Sequence, residues 1–134
     1  MDNKKVFVTN VENDTLQNTD YRRVKFTLER NQLVYMSLEP GVEIGNEMHG
    51  VDQFIRIEKG VAKSVIGNGS EERQLTQGDA ILIPSGTWHN IINESDEPVK
   101  LYTLYCGPQH LRDTVQPTKA DEAEDHFNGI TSLV

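Results

Sequence analysis

The chain has 134 residues, a formal net charge of −8 and a single cysteine. One domain of this length buries an adequate core without disulfide staples, and a lone thiol excludes an internal disulfide framework. The acidic balance argues against nucleic acid or an anionic membrane as principal partner. Met1-Asp2-Asn3-Lys4-Lys5 leads only into Val6-Phe7-Val8, with no apolar run of signal-peptide or membrane length, so a cytoplasmic protein is expected.

Taken in chain order, short apolar runs alternate with turn residues, and helical periodicity is scarce before the tail. Strands are expected at residues 6–9, 23–28, 33–38, 53–58, 62–66, 73–75, 80–83, 87–93 and 99–106. The short Val6-Phe7-Val8 strand is a candidate to pair with a second copy across a sheet edge, giving a homodimer. Arg22-Arg23 opens the next run and is expected as a water-exposed edge pair, with anion binding as the alternative. Punctuation falls at Glu39-Pro40-Gly41, Lys59-Gly60 and Gln77-Gly78-Asp79, and Gly67-Asn68-Gly69-Ser70 suits a hairpin turn because glycine and asparagine accept positive φ. Cys106 closes an apolar run and is expected to be a buried structural thiol. After Gly107-Pro108 the character changes. His110 is expected at the surface, and the acidic stretch 119–126 is expected to form a helical turn or two or a solvated terminus. Many strands around one core imply a closed or double-sheet β architecture.

Two segments carry chemistry. In the segment 78–93 an apolar run of strand length is followed by Pro84-Ser85-Gly86 and a second strand-like run, a hairpin presenting His89 at its bend. Upstream, alternate residues of an extended segment share a face, so Glu47, His49, Val51 and Gln53 point one way and Ile55 and Ile57 continue that face. A face polar at one end and apolar at the other suits the inner wall of a small barrel beside a buried site; a half-buried strand with polar residues at its rim is the plainer alternative. Trp88 has the opposite parity from His89 and is expected to pack on the other side.

The segment 78–93 resembles the second motif of the cupin superfamily, G-x5-P-x-G-x2-H-x3-N, at every defined position: Gly78, Pro84, Gly86, His89 and Asn93. The first cupin motif, G-x5-H-x-H-x3-4-E-x6-G, lies on Gly41, Glu47, His49, Gln53 and Gly60 without a gap. Glu47 stands where the family commonly has its first histidine, and Gln53 where it has its glutamate. The resemblance extends over nearly the whole chain, to a group of small cupins described as resembling mannose-6-phosphate isomerases; Gln32 to Leu38, Glu43 to His49, Asp52 to Phe54, Thr114 to Asp121 and His126 to Gly129 carry it.

The resemblance implies an all-β jelly-roll (double-stranded β-helix) domain over 1–134, with motifs at 41–60 and 78–93 and a tail at 107–134. It also implies one divalent transition metal held by Glu47, His49, Gln53 and His89. The two departures compensate in charge, since three histidines with one glutamate and this set each carry one negative charge. Oxygen donors rise from one to two, which favours manganese or iron while leaving zinc or nickel possible. Gln53 serves either as fourth ligand or as a hydrogen-bonding group behind the others. Three functions are compatible: a metal enzyme turning over a small polar metabolite by sugar-phosphate isomerisation or non-haem oxygenase-type chemistry, a non-catalytic binding or sensing module, and a structural metal site. Tyr35, Tyr102, Tyr105 and His110 are the candidate acids or bases. No Ser/His/Asp system, phosphate-cradling glycine loop or paired-cysteine site is present in the sequence.

Overall fold

The computed structural model describes residues 5–123 and 125–132. Its elements are helix α1 (Val11–Gln17), strands β1 (Arg22–Thr27), β2 (Gln32–Leu38), β3 (Gln53–Lys59), β4 (Ala62–Ile66), β5 (Glu71–Leu75), β6 (Ala80–Ile83), β7 (His89–Ile92), β8 (Val99–Tyr105) and β9 (Val115–Gln116), then one 3-10 turn, Lys119–Asp121. Antiparallel ladders join them into a six-stranded sheet, β6-β3-β8-β2-β1-β9, and a three-stranded sheet, β5-β4-β7. The fold is thus all-β with two facing sheets, a jelly roll whose described ladders stop short of a closed barrel.

Period-2 alternation accounts for the core. Val34, Met36 and Leu38 of β2, Ile55 and Ile57 of β3, and Val99, Leu101 and Tyr105 of β8 are all buried and meet Ala62, Ile91 and Leu75 of the smaller sheet. β2 is buried on both faces, because α1 covers its outer side. There the Tyr35 hydroxyl donates to Asp14 Oδ2 at 2.9 Å, and the buried Lys100 ammonium donates to Asn18 O at 2.7 Å and Ser37 Oγ at 2.9 Å.

Four expectations are corrected. Residues 6–9 form no strand: Phe7 stacks on Phe26 with ring centroids 4.7 Å apart, while Val6 and Val8 stay exposed. The helix Val11–Gln17 has no apolar stripe, burying only Thr15, and is held instead by Asn10, whose side chain accepts from Asn13 N as an N-cap. Cys106 is exposed, since it falls one residue past Tyr105 on the opposite side of β8. Trp88 also remains 41% exposed rather than packed.

The turns of both motifs have structural causes. Gly60, at φ +93°, sits where a Cβ would lie 2.6 Å from Pro98 O, so only glycine lets β3 pass the loop before β8. Asn93 is fully buried and satisfies four bonds, donating to Leu38 O and Glu97 O and accepting from Ser95 N and Oγ.

Candidate metal centre

Backbone lacing brings the two motifs together. Glu47 and His89 form an isolated antiparallel bridge, each N–H donating to the other's carbonyl at 2.9 Å. Gly86 N donates to His49 O at 2.9 Å, and Ser85 N to the Asp52 carboxylate at 2.9 Å. The segment carrying Glu47 and His49 is therefore not the continuous strand that parity assumed. It runs along β7, held by the 43–92 and 47–89 bridges, and β3 begins only at Gln53.

The side chains converge regardless. Glu47 Oε1 lies 3.2 Å from His49 Nε2 and 3.6 Å from His89 Nε2. One ligating atom from each of Glu47, His49 and His89 falls within 4.8 Å of the others. The His89 ring is 3.6 Å or less from no other carboxylate among its described ion pairs, and its Nδ1 is 2.9 Å from Thr87 O. That second contact keeps a proton on Nδ1, so the neutral ring has its lone pair on Nε2, where a cation would take it, and the protonated ring turns Nε2–H toward the Glu47 carboxylate. Gln53, buried on β3, donates through Nε2 to Thr103 Oγ1 at 2.9 Å, which fixes its amide and leaves Oε1 without a partner among the described residues.

Burial pushes the Glu47 carboxyl up, but the contacts and charges of His49 and His89 outweigh it and hold the carboxyl down to about 2. Burial lowers His89, yet its contact with Glu47 and the bond to Thr87 raise it on balance. The donor set fits a divalent cation on a simple criterion. Among the described residues His49 Nε2, His89 Nε2 and Gln53 Oε1 are buried with no well-aligned hydrogen bond, and the Glu47 carboxylate stands beside the two histidines. Ligands about 2.1 Å from one ion sit about 3.0–3.4 Å apart, so the Glu47–His49 spacing of 3.2 Å matches and the Glu47–His89 spacing of 3.6 Å is slightly wide.

Of the acid–base candidates, Tyr105 and His110 lie beside this cluster, whereas Tyr35 bonds to α1 and Tyr102 packs on Phe54 on the outer side of β8. The Tyr105 ring meets the His49 ring edge-on at 5.1 Å, and its hydroxyl is 3.3 Å from His110 Nε2. His110 is therefore not the surface group expected. Burial, together with the Arg22 charge, pushes its imidazole down to about 3, and burial raises the Tyr105 phenol well above its ordinary value.

Arg22 likewise departs from expectation. It is only 3% exposed, and Nη1 donates to Gln116 Oε1 at 2.9 Å and to Glu122 Oε2 at 3.0 Å. The signal was present in parity, since Arg22 shares a face with buried Val24. Its partner Glu122 comes from the tail, which local patterns do not place.

The fold and this cluster define a cupin. The cupin-domain family model matches residues 34–105, and the chain belongs to that family. It is 42% identical to the uncharacterized protein YrkC of Bacillus subtilis (strain 168), covering 90% of this chain and 69% of that one. It is 48% identical to the uncharacterized protein L612 of Acanthamoeba polyphaga mimivirus, over 78% of this chain and 68% of that one. Among solved structures, BH2720 from Bacillus halodurans superposes with a TM-score of 0.85 at 40% identity, covering 87% of this chain and 92% of that one.

Proposed function

We propose that this cupin is a metal-dependent enzyme acting on a small polar metabolite, with one divalent ion held by Glu47, His49, His89 and the Gln53 amide oxygen. The observation that carries this reading is the set of buried donor atoms without protein partners around the Glu47 carboxylate. Two nitrogen and two oxygen donors favour manganese or iron, with zinc or nickel as weaker fits. An ion so held supplies Lewis-acid polarisation of a chelating oxygen, or oxygen activation if it is iron. Oxygenase-type chemistry and sugar-phosphate isomerisation are the reaction classes proposed for such an ion, and isomerisation needs in addition an acid or base beside it.

The chain's own residues would orient and exclude water. Glu47 stays ionised and the bond to Thr87 O fixes the His89 tautomer. Thr103 holds Gln53 in one amide orientation, and the Tyr105–His110 pair walls the side next to His49. A second reading, a non-catalytic binding or sensing module, is favoured by that same pair. His110 accepts a proton only near pH 3, and Tyr105 keeps its proton throughout the neutral range, so neither is poised for general acid–base work at neutrality.

We further propose a homodimer formed through the exposed Val6 and Val8, and a reducing, cytoplasmic setting consistent with one exposed free thiol. Element analysis of untagged protein after incubation with Mn, Fe, Ni and Zn tests the metal reading. One ion per chain in the wild type and its loss in His89→Ala are expected; a wild type that stays metal-free overturns it. Turnover of sugar phosphates, keto acids or diketones by the Mn- or Fe-loaded chain, absent in His49→Ala, separates the enzyme from the sensor.

A further inference from the structure

Beside the candidate metal centre lies a second polar cluster that metal binding does not use. Three donors from two distant parts of the chain converge on one carboxylate. Glu122 Oε2 accepts from the Tyr21 hydroxyl at 2.8 Å and from Arg22 Nη1 at 3.0 Å, and its Oε1 lies 3.4 Å from Lys119 Nζ. The receptor is better built than its occupant. Tyr21 is 2% and Arg22 3% exposed, while the Glu122 side chain is 33% exposed. Gln116 locks the guanidinium from behind at 2.9 Å, the Tyr21 ring lies 5.2 Å from its centre, and the buried Arg22 Nε has no hydrogen-bond partner among the described residues. Two cations, Arg22 and Lys119, face the one Glu122 carboxylate in a protein of net charge −8.

The cluster is attached to the strand pair that carries the metal-ligating residues. Lys119 Nζ donates to Ile44 O, and the Tyr21 hydroxyl is 3.5 Å from the same carbonyl. Ile44 N in turn bonds Ile91 O at 2.9 Å, next along from the Glu47–His89 bridge. The Glu47 charge is felt at both Tyr21 and Arg22. Polar contacts alone hold Glu122 in place, because the 3-10 turn before it buries no residue and Asp121, Glu122 and Ala123 are exposed.

We propose that Tyr21, Arg22 and Lys119 form a carboxylate-binding subsite beside the metal centre, filled in the free protein by the chain's own Glu122, which the carboxylate of a small ligand displaces. The occupant fixes the chemistry: a planar carboxylate with one oxygen on Tyr21 and Arg22 and the other toward Lys119. The metabolite is thus a small hydroxy or keto acid, and Glu122 acts as a tethered competitor. This deepens the metal-enzyme reading, which supplies the partner for the ligand's other end.

Calorimetric titration of the full chain, Mn-loaded and metal-free, with pyruvate and with inorganic phosphate tests the subsite in wild type, Glu122→Ala, and Glu122→Ala combined with Lys119→Ala. If Glu122 fills the subsite about nine-tenths of the time, its removal tightens pyruvate binding about tenfold, and the added Lys119→Ala change reverses most of that gain. Acetate should also raise the Tm of metal-free Glu122→Ala more than that of the wild type. A lower Tm in Glu122→Ala with no gain in pyruvate affinity and no acetate rescue would show Glu122 to be only a counter-ion for Arg22, and would overturn the proposal. An equal gain for phosphate would overturn the assignment to carboxylates. Because acetate rescue is read without metal, a chain that binds no ion would sink the metal reading while leaving this one standing or falling on its own result.

Discussion

At the scale of single residues, Glu47 organises the centre, and its influence has a definite pH signature. Its carboxyl falls from an ordinary value of 4.5 to about 2, so it contributes stability above pH 4.5 that is lost as the pH drops toward 2. His89 is raised above 6.5, so its charged form contributes below that value and the contribution is lost as the pH rises through the raised one. In metal-free protein the Tm advantage of wild type over Glu47→Gln should therefore be greatest between about pH 4.5 and 6.5. With metal present the trend on the upper side reverses, because ligation needs neutral imidazoles, and the metal-induced rise in Tm should grow above about pH 6.5. A wild-type advantage that does not vary with pH would show that the three side chains are not electrically coupled. Glu47 and Gln53 form a second testable pair. Gln53→Glu adds a negative charge and should change metal affinity and preference, Glu47→His in the same chain restores the single charge, and the coupling should be about 1 kcal/mol or more. Strict additivity in metal-binding free energy would mean the two residues do not share an ion.

At the scale of elements, the passage from β3 to β4 depends on Gly60. Gly60→Ala combines a positive φ with a Cβ 2.6 Å from Pro98 O and should cost about 2 kcal/mol or more in urea denaturation; a loss below half of that would mean the loop before β8 gives way easily. The eight main strands were legible because alternation and turn residues agree, as at Ile55 and Ile57 with Gly60 behind them. Other elements depended on partners outside the local pattern. Residues 6–9 have strand composition but no ladder to join, and α1 shows only Asn10 and an acidic first turn, signals too local for a periodicity argument. Motif spacing foresaw that Glu47, His49 and His89 would meet, although it misjudged the path, which is a bridge to β7 and not a strand. Arg22 and His110 were misplaced for one reason: their surroundings are built by the tail and the loop after β8, which parity along a single strand does not include.

At the scale of the whole molecule, the chain presents Val6 at 85% and Val8 at 86% exposure on a segment anchored by the Phe7–Phe26 stack. Sedimentation should show a dimer in the wild type and a monomer in the double substitution Val6→Ser, Val8→Ser; unchanged mass in the variant would exclude this segment as the interface. Described helices include none long and apolar enough to cross a membrane. The Glu47–His89 bridge has one more consequence, in time and not in space. Its two halves lie on either side of β3 to β6, so the donors become neighbours only after a large loop of chain has closed and both sheets have begun to stack. A cation cannot then nucleate the chain; it captures a cavity already formed and acts mainly by slowing its reopening. Refolding after dilution from urea should run at the same rate with chelator or with Mn, whereas unfolding should slow when Mn is present.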